Sequence, residues 1–204
     1  MTRRVAILVF DSFDLIDAGG PYEVFLTASR LAQRDGDAPQ YDVRLVSPGG
    51  SDVVAFGGMT LTGLDDAESV GPVDLVVVPG TIDVGAAVSD PAIGKAVRAL
   101  IDSADVVTSV CTGSFLLAHA GALDGKSATT HWEDLDLLSA TGQVGQVERD
   151  VRWVDEGRVV TSGGLTSGIH MALHMVARDF GVEHAERTAR QLQQPWDPSG
   201  AITV

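Results

Sequence analysis

The sequence predicts a doubly wound α/β sandwich with a mostly parallel central sheet. Short apolar runs alternate along the chain with segments of helical periodicity. Several of those runs are apolar at nearly every position, as strands are when a parallel sheet is covered on both faces. No linker, repeat or low-complexity tract interrupts the 204 residues, so residues 1–204 are expected to form a single domain.

Each element follows in order. Val5-Ala-Ile-Leu-Val-Phe10 is apolar throughout and ends at Asp11, which makes it the first strand. The stretch Phe13-Asp-Leu-Ile-Asp-Ala-Gly-Gly-Pro21 reads as a loop before a helix over Tyr22 to Arg34, whose Val24, Phe25, Ala28 and Leu31 fall on one face. Tyr41 to Val46 alternates before Ser47-Pro48 and is a second strand, and Val53 to Thr62 reads as a hairpin. Val73-Asp-Leu-Val-Val-Val78 stops at Pro79-Gly80. Asp90-Pro91 opens a helix as cap and first-turn proline, with Ile93, Val97, Leu100 and Ile101 on its apolar side. Asp105 to Val110 is a strand that runs into Cys111, and Thr112 to Ala120 continues as a helix. Val151 to Val160 is a small hairpin turning at Glu156-Gly157; helices over Thr166 to Phe180 and Glu183 to Leu192 complete the pattern.

Composition narrows the function. Lys plus Arg number 14 and Asp plus Glu 28, a formal net charge of −14 that repels phosphate backbones and argues against a nucleic-acid partner. No apolar run approaches the roughly 20 residues of a membrane helix, so no membrane partner is expected. The apolar block after Arg3-Arg4 ends at Asp11, too short for a signal peptide. One cysteine rules out an intramolecular disulfide, and the chain reads as a cytoplasmic protein with a reduced thiol.

Ligands on such sheets sit beyond the carboxyl ends of the strands, which singles out the segment after Phe10, the Pro79-Gly80 turn and Cys111. Cys111 lies between a strand and a helix with Ser109 and Gly113 as small flanking residues, the layout of a nucleophile elbow. The helix start after it is expected to favour an exposed thiolate. The alternative is an inert buried cysteine. Asp17 belongs to the same sheet edge and is a candidate proton carrier beside the thiol. It also reads as a loop aspartate that caps the turn before Pro21, and Asp14 and Glu23 compete for the role. His170 and His174 have the i, i+4 spacing that metals use, but Met171 stands where a zinc-protease motif needs an acid, so no metal site is expected. His119 is two helical turns from Cys111, and His131 is a polar-network or pocket residue. Gly163-Gly164 precedes a helix start, as a turn or as a place where backbone approaches a ligand.

The stretches Asp17-Ala-Gly-Gly-Pro-Tyr-Glu-Val-Phe25, Val77-Val-Pro-Gly80, Thr108-Ser-Val-Cys-Thr-Gly-Ser114, Gly125-Lys-Ser-Ala-Thr-Thr-His-Trp132 and Thr161-Ser-Gly-Gly-Leu-Thr-Ser-Gly-Ile169 run over nearly the whole chain. Together they resemble the ThiJ/PfpI superfamily, which implies a class I glutamine-amidotransferase-like (flavodoxin-like) fold. Within it the likeness is to isonitrile (isocyanide) hydratases, which are lyases, and to the sensor domains of AraC-type regulators. The resemblance implies Cys111 as nucleophile, Asp17 as proton carrier and Thr112 as an assisting residue. It further implies a homodimer, a small-molecule substrate and no cofactor. Gly20, Gly80, Thr81 and His131 would contact that substrate, together with Gly163, Gly164 and Leu165. Thr81, Leu165 and His170 depart from the residues common in the hydratases, and they bear on the substrate rather than on the Cys111 and Asp17 pair. A non-enzymatic sensor and a redox or carbonyl-stress protein with an oxidisable Cys111 are the other readings. The sensor reading expects roughly 100 further residues carrying a helix-turn-helix, or a partner chain that supplies one.

Overall fold

The computed structural model describes residues 1–200; residues 201–204, which the sequence reading places in its single 1–204 domain, lie outside the described residues. In chain order the elements are β1 (Arg3–Leu8), α1 (Leu15–Arg34), β2 (Tyr41–Ser47), β3 (Val53–Val54), β4 (Thr60–Leu61), β5 (Asp65–Asp66), β6 (Val73–Val78), α2 (Val84–Ser89), α3 (Pro91–Ser103) and β7 (Ala104–Ser109). They continue with α4 (Gly113–His119), β8 (Ser127–Ala128), α5 (Leu135–Ala140), β9 (Gln146–Val147), β10 (Trp153–Asp155), β11 (Val159–Ser162), α6 (Ser167–Phe180) and α7 (Val182–Gln191).

Seven strands form the central sheet in the order β10-β11-β7-β6-β1-β2-β5. Every pairing is parallel except β10 with β11. The continuous apolar runs explain the layering. Val76, Val77 and Val78 are all fully buried although successive side chains point to opposite faces, so both faces of β6 are covered. Helices α1, α6 and α7 pack on one another as one layer, and α3 and α4 pack on β6 and β7 as the other. Asp90 caps α3 through bonds from the Ala92 and Ile93 N–H groups, with Pro91 in its first turn, as the sequence predicts.

One expectation changes. The helix expected from Tyr22 starts seven residues earlier, at Leu15, and carries Asp17, Gly20 and Pro21 inside it. The cause is tertiary: Phe13 bridges to Thr81 and the Asp14 N–H donates to the Gly80 carbonyl at 2.9 Å, which fixes the chain where the helix begins. Pro21 deprives only the Asp17 carbonyl of its i+4 donor. Gly20 is held in the helix because a Cβ there would meet Ile169 Cγ1 at 2.8 Å, so it lets α1 approach α6. The expected hairpin turning at Glu156-Gly157 forms as β10 and β11, and β11 pairs in parallel with β7 so that the hairpin extends the main sheet. The elements α2, α5, β5, β8 and β9 are each six residues or fewer and lack a periodic signal in the sequence.

Candidate active site

Strand order reverses between β1 and β6, since β1 leads on to β2 on one side while β6 leads on to β7 on the other. The carboxyl ends at that switch deliver Asp14 and Asp17 after β1 and Pro79-Gly80 after β6, with Cys111 from β7 and Gly163 from β11 alongside.

Cys111 sits two residues past β7 with φ 55°, in the left-handed region that a non-glycine residue occupies at a strain of about 1–3 kcal/mol. The surroundings hold it there. Its N–H donates to the Gly163 carbonyl at 3.1 Å, and its carbonyl accepts from the Thr130 hydroxyl at 2.9 Å and the Ser114 hydroxyl at 3.3 Å. The bend is tight enough that a Cβ on Gly113 would meet the Val78 carbonyl oxygen at 2.3 Å. Thr130 has no signal in the sequence that could single it out, since its role depends on a loop returning to the strand end.

The environment of the sulfur differs from the expectation of an exposed thiolate. Cys111 is 5% exposed, and its thiol is pushed up to about 12, first by burial and then by the charge of Asp17. The Thr112 and Leu165 N–H groups act in the opposite direction and do not outweigh burial. The following helix, α4, is only seven residues long, so its dipole contributes little.

Asp17 is completely buried in the first turn of α1. Its Oδ2 accepts from the Gly80 N–H at 3.0 Å, while Oδ1 is buried without a hydrogen-bond partner. Burial raises the carboxyl to about 7; the Gly80 N–H lowers it, the Asp14 charge raises it, and the Cys111 thiol and Leu165 N–H lower it. Asp14, Asp17 and Cys111 each place a side-chain donor atom within 4.8 Å of the others. A carboxylate and a thiol so placed exchange a proton readily and titrate as a coupled pair. The same three side chains are spaced closely enough to ligate a cation, but a metal there must displace the proton of a thiol whose pKa stands at about 12.

Above the sulfur lies a cavity of about 430 Å³, within the range of small-molecule sites. Cys111, Thr112, Asp14, Thr81, His131 and Leu165 line it, with Ile82 and Val84 as apolar wall and Glu133 and Asp134 as acidic wall. Of the residues expected to contact substrate, Thr81, His131 and Leu165 reach this cavity. Leu165 does so from a left-handed conformation, φ 51°. His131 turns Nδ1 towards the Glu133 and Asp134 carboxylates, at 3.7 and 3.6 Å.

Gly20, Gly80, Gly163 and Gly164 do not line it. Gly20 belongs to the α1–α6 contact, and a Cβ on Gly80 would lie 2.6 Å from Thr112 Oγ1 and 3.0 Å from Asp17 Oδ2. Gly163 holds the Cys111 N–H, and Gly164 receives the His131 ring, whose Cδ2 would lie 2.2 Å from a Cβ there. At Gly20, Gly80 and Gly164 the group that approaches is protein, while Gly163 and Gly164 line a neighbouring cavity of about 300 Å³ that shares His131 and Leu165. Thr112 also changes role. Its hydroxyl accepts from the Thr81 N–H at 2.8 Å and donates to the Thr81 carbonyl at 2.7 Å, so it clamps the turn after β6 and has no proton free for chemistry. His170 faces Gln194 and His174 bonds Asp155 at 2.7 Å, so the i, i+4 pair does not converge on a metal; His119 is exposed at the far end of α4. Glu23 bonds Thr27 on α1 and does not line the cavity.

The DJ-1/PfpI family profile matches residues 3–178. The isonitrile hydratase of Pseudomonas putida is 34% identical over 193 residues, 95% of this chain and 79% of that protein. The HTH-type transcriptional regulator GbdR of Pseudomonas aeruginosa is 28% identical over 181 residues, 89% of this chain but 48% of the regulator. The crystal structure of a ThiJ/PfpI family protein from Pseudomonas syringae superposes with a TM-score of 0.82 at 26% identity, covering 97% of this chain and 77% of that one. The architecture is the class I glutamine-amidotransferase-like, flavodoxin-like sandwich that the sequence predicts. Among the described residues no helix is long and apolar enough to cross a membrane.

Proposed function

The chain belongs to the DJ-1/PfpI family, and from that premise we propose that it hydrates an isonitrile to an N-substituted formamide, with Cys111 as nucleophile and Asp17 as proton carrier. The observation that carries the reading is the placement of a buried carboxyl group within 4.8 Å of a strained thiol, with the thiol opening on a substrate-sized cavity. The 34% identical hydratase supports the choice of reaction. The nucleophile elbow is part of the same proposal, because the φ 55° bend directs the sulfur into the cavity.

The protonation states set the order of events. With Asp17 at about 7 and the thiol at about 12, the resting pair near neutrality is a thiol beside a carboxyl group poised between its two forms. Ionised Asp17 takes the thiol proton as sulfur bonds the terminal isonitrile carbon, and returns it to that same carbon. The product is a thioimidate, R–N=CH–S–Cys111. The oxygen of a water then bonds the carbon while the Asp17 carboxylate receives a proton from that water and passes it to the nitrogen. Collapse of the R–NH–CH(OH)–S–Cys111 adduct breaks the C–S bond, carries the hydroxyl proton through Asp17 to the sulfur, and releases R–NH–CHO. One water is consumed and no electron acceptor is needed. Thr81, His131 and Leu165 contact the substituent R.

Incubation with cyclohexyl isonitrile tests this. Formamide is expected at a rate that falls to the uncatalysed background in Cys111→Ala; equal rates for the two proteins reject the activity.

A second reading, a small-molecule sensor, is favoured by one observation: the thiol is held protonated by burial, which suits binding without turnover. The regulator relative supports it. Tight binding of a metabolite with no product selects that reading. A homodimer and a cytoplasmic location remain part of the proposal, checked by sedimentation and by fractionation.

A further inference from the structure

We propose that Asp14 is the proton conduit between the substrate cavity and the enclosed carboxyl group of Asp17. The inference rests on the hydratase reading and extends it to a residue outside the nucleophile and its partner.

Three observations converge. Asp17 is fully buried and does not line the cavity, so it has no direct exchange with solvent. Asp14 lines the cavity, is partly exposed, and lies within 4.8 Å of both Asp17 and Cys111 at the donor atoms, the span of one bridging water. Asp14 also occupies the N-cap position of the 20-residue α1, where aspartate is among the best capping residues, yet its carboxylate accepts no capping bond. The Asp83 and Asp90 carboxylates cap their helices in the ordinary way. Asp14 forgoes a stabilising local bond and keeps its carboxyl in the thiol cavity.

The groups facing Asp14 set its behaviour. Asp17 and Cys111 lie beside it, His131 acts on it by its charge, and Glu133 and Asp134 line the same cavity next to His131. No lysine or arginine lines the cavity among the described residues. Burial raises the Asp14 carboxyl and His131 lowers it, so it exchanges protons nearer neutrality than a surface aspartate does. The transfer balances. A proton bound for the reacting atoms passes from Asp17 to the Asp14 carboxylate, and Asp14 gives one up on its cavity side for each it receives. When the attacking water loses a proton, the path runs in reverse.

The test compares wild type with Asp14→Asn and Asp14→Glu. Asparagine keeps the size and caps helices well, so folding is preserved. Asp14→Asn is expected to lose about tenfold or more in kcat with KM little changed, a loss typical of a removed proton-transfer group. Added acetate, a small mobile acid, is expected to restore it, and Asp14→Glu to retain most of it. A kcat unchanged in Asp14→Asn, or a loss that acetate does not restore, overturns the conduit. Iodoacetamide alkylation of Cys111 against pH gives a readout that needs no turnover. Removing the Asp14 charge is expected to move the alkylation midpoint to lower pH, because that charge raises the thiol and Asp17 alike. A shifted midpoint in a protein that makes no formamide supports the coupling while rejecting the hydratase reading; an unshifted midpoint overturns the coupling itself.

Discussion

The two ends of the central sheet bury acidic groups in opposite ways. At the amino end, Arg3 of β1 reaches Asp74 and Asp179, each at 3.4 Å, and the Tyr41 hydroxyl donates to Asp179 at 3.0 Å. The Tyr41 ring lies 4.7 Å from Phe25 and 5.2 Å from Phe180, centroid to centroid. At the carboxyl end Asp17 is more deeply buried and has the Gly80 N–H, the Leu165 N–H, a thiol and a second acid, Asp14, beside it. A carboxylate paired with a guanidinium stays ionised and stabilises the fold. One buried without a cation shifts towards the neutral acid and gains a proton to exchange. The ends differ in depth of burial and in the presence of a cation, and together these separate a structural network from a reactive one.

The largest expected effect comes from removing the titrating group at the reactive end. Asp17→Asn is expected to lower kcat by about 10²–10⁴-fold, measured as formamide release. It also changes stability with pH. The folded-state carboxyl stands at about 7, above its unfolded value, so between about pH 4 and 7 the folded protein binds more protons than the unfolded chain. Stability falls as pH rises through that window, on the order of a few kcal/mol for a group this deeply buried. Urea denaturation at pH 5 and pH 8 is expected to show the fall in wild type and a flatter dependence in Asp17→Asn. The same fall in the variant shows that another group carries it.

Removing the cation at the other end sharpens the contrast. Arg3→Met leaves Asp179 and Asp74 without their guanidinium and is expected to cost about 1–2 kcal/mol, since the pair is partly exposed. Turnover per folded molecule should not change. A drop in kcat at full folding would link the two ends and break the comparison. The smallest effect is expected at the clamp. Thr112→Val leaves the Thr81 N–H and carbonyl without the hydroxyl and is expected to cost about 1 kcal/mol in stability. Its pH–rate profile should keep the wild-type shape, because the hydroxyl has no free proton; a displaced profile restores Thr112 to the chemistry.

Much of the site was legible because strand ends are written in apolar runs. Val73–Val78 stopping at Pro79-Gly80, and the run into Cys111, place both at one sheet edge. The start of α1 was not legible. Gly19-Gly20-Pro21 signals a break, and only the contacts of Phe13 and Asp14 with the β6 turn explain why the helix forms through it. The glycines were legible only in part. Their spacing marks close approach, but whether the approaching group is a ligand or Ile169, Thr112 and His131 depends on neighbours distant in sequence. The His170 and His174 spacing is true of the helix and says nothing about Gln194 and Asp155, which claim the two rings.

The sequence by itself determined the parallel sheet, the sharp bend at Cys111 and the sheet edge that this residue shares with the segment after β1, because apolar periodicity fixes where strands end and topology carries those ends to one edge; it left Asp14, Asp17 and Glu23 as competitors for the place beside the thiol. Only the tertiary structure decided that burial raises the thiol, that the acid is poised near neutrality and that Asp14 lines the cavity within reach of both. Protonation follows from desolvation and from which charges lie within a few ångströms, and both are set by what the folded chain brings over the site.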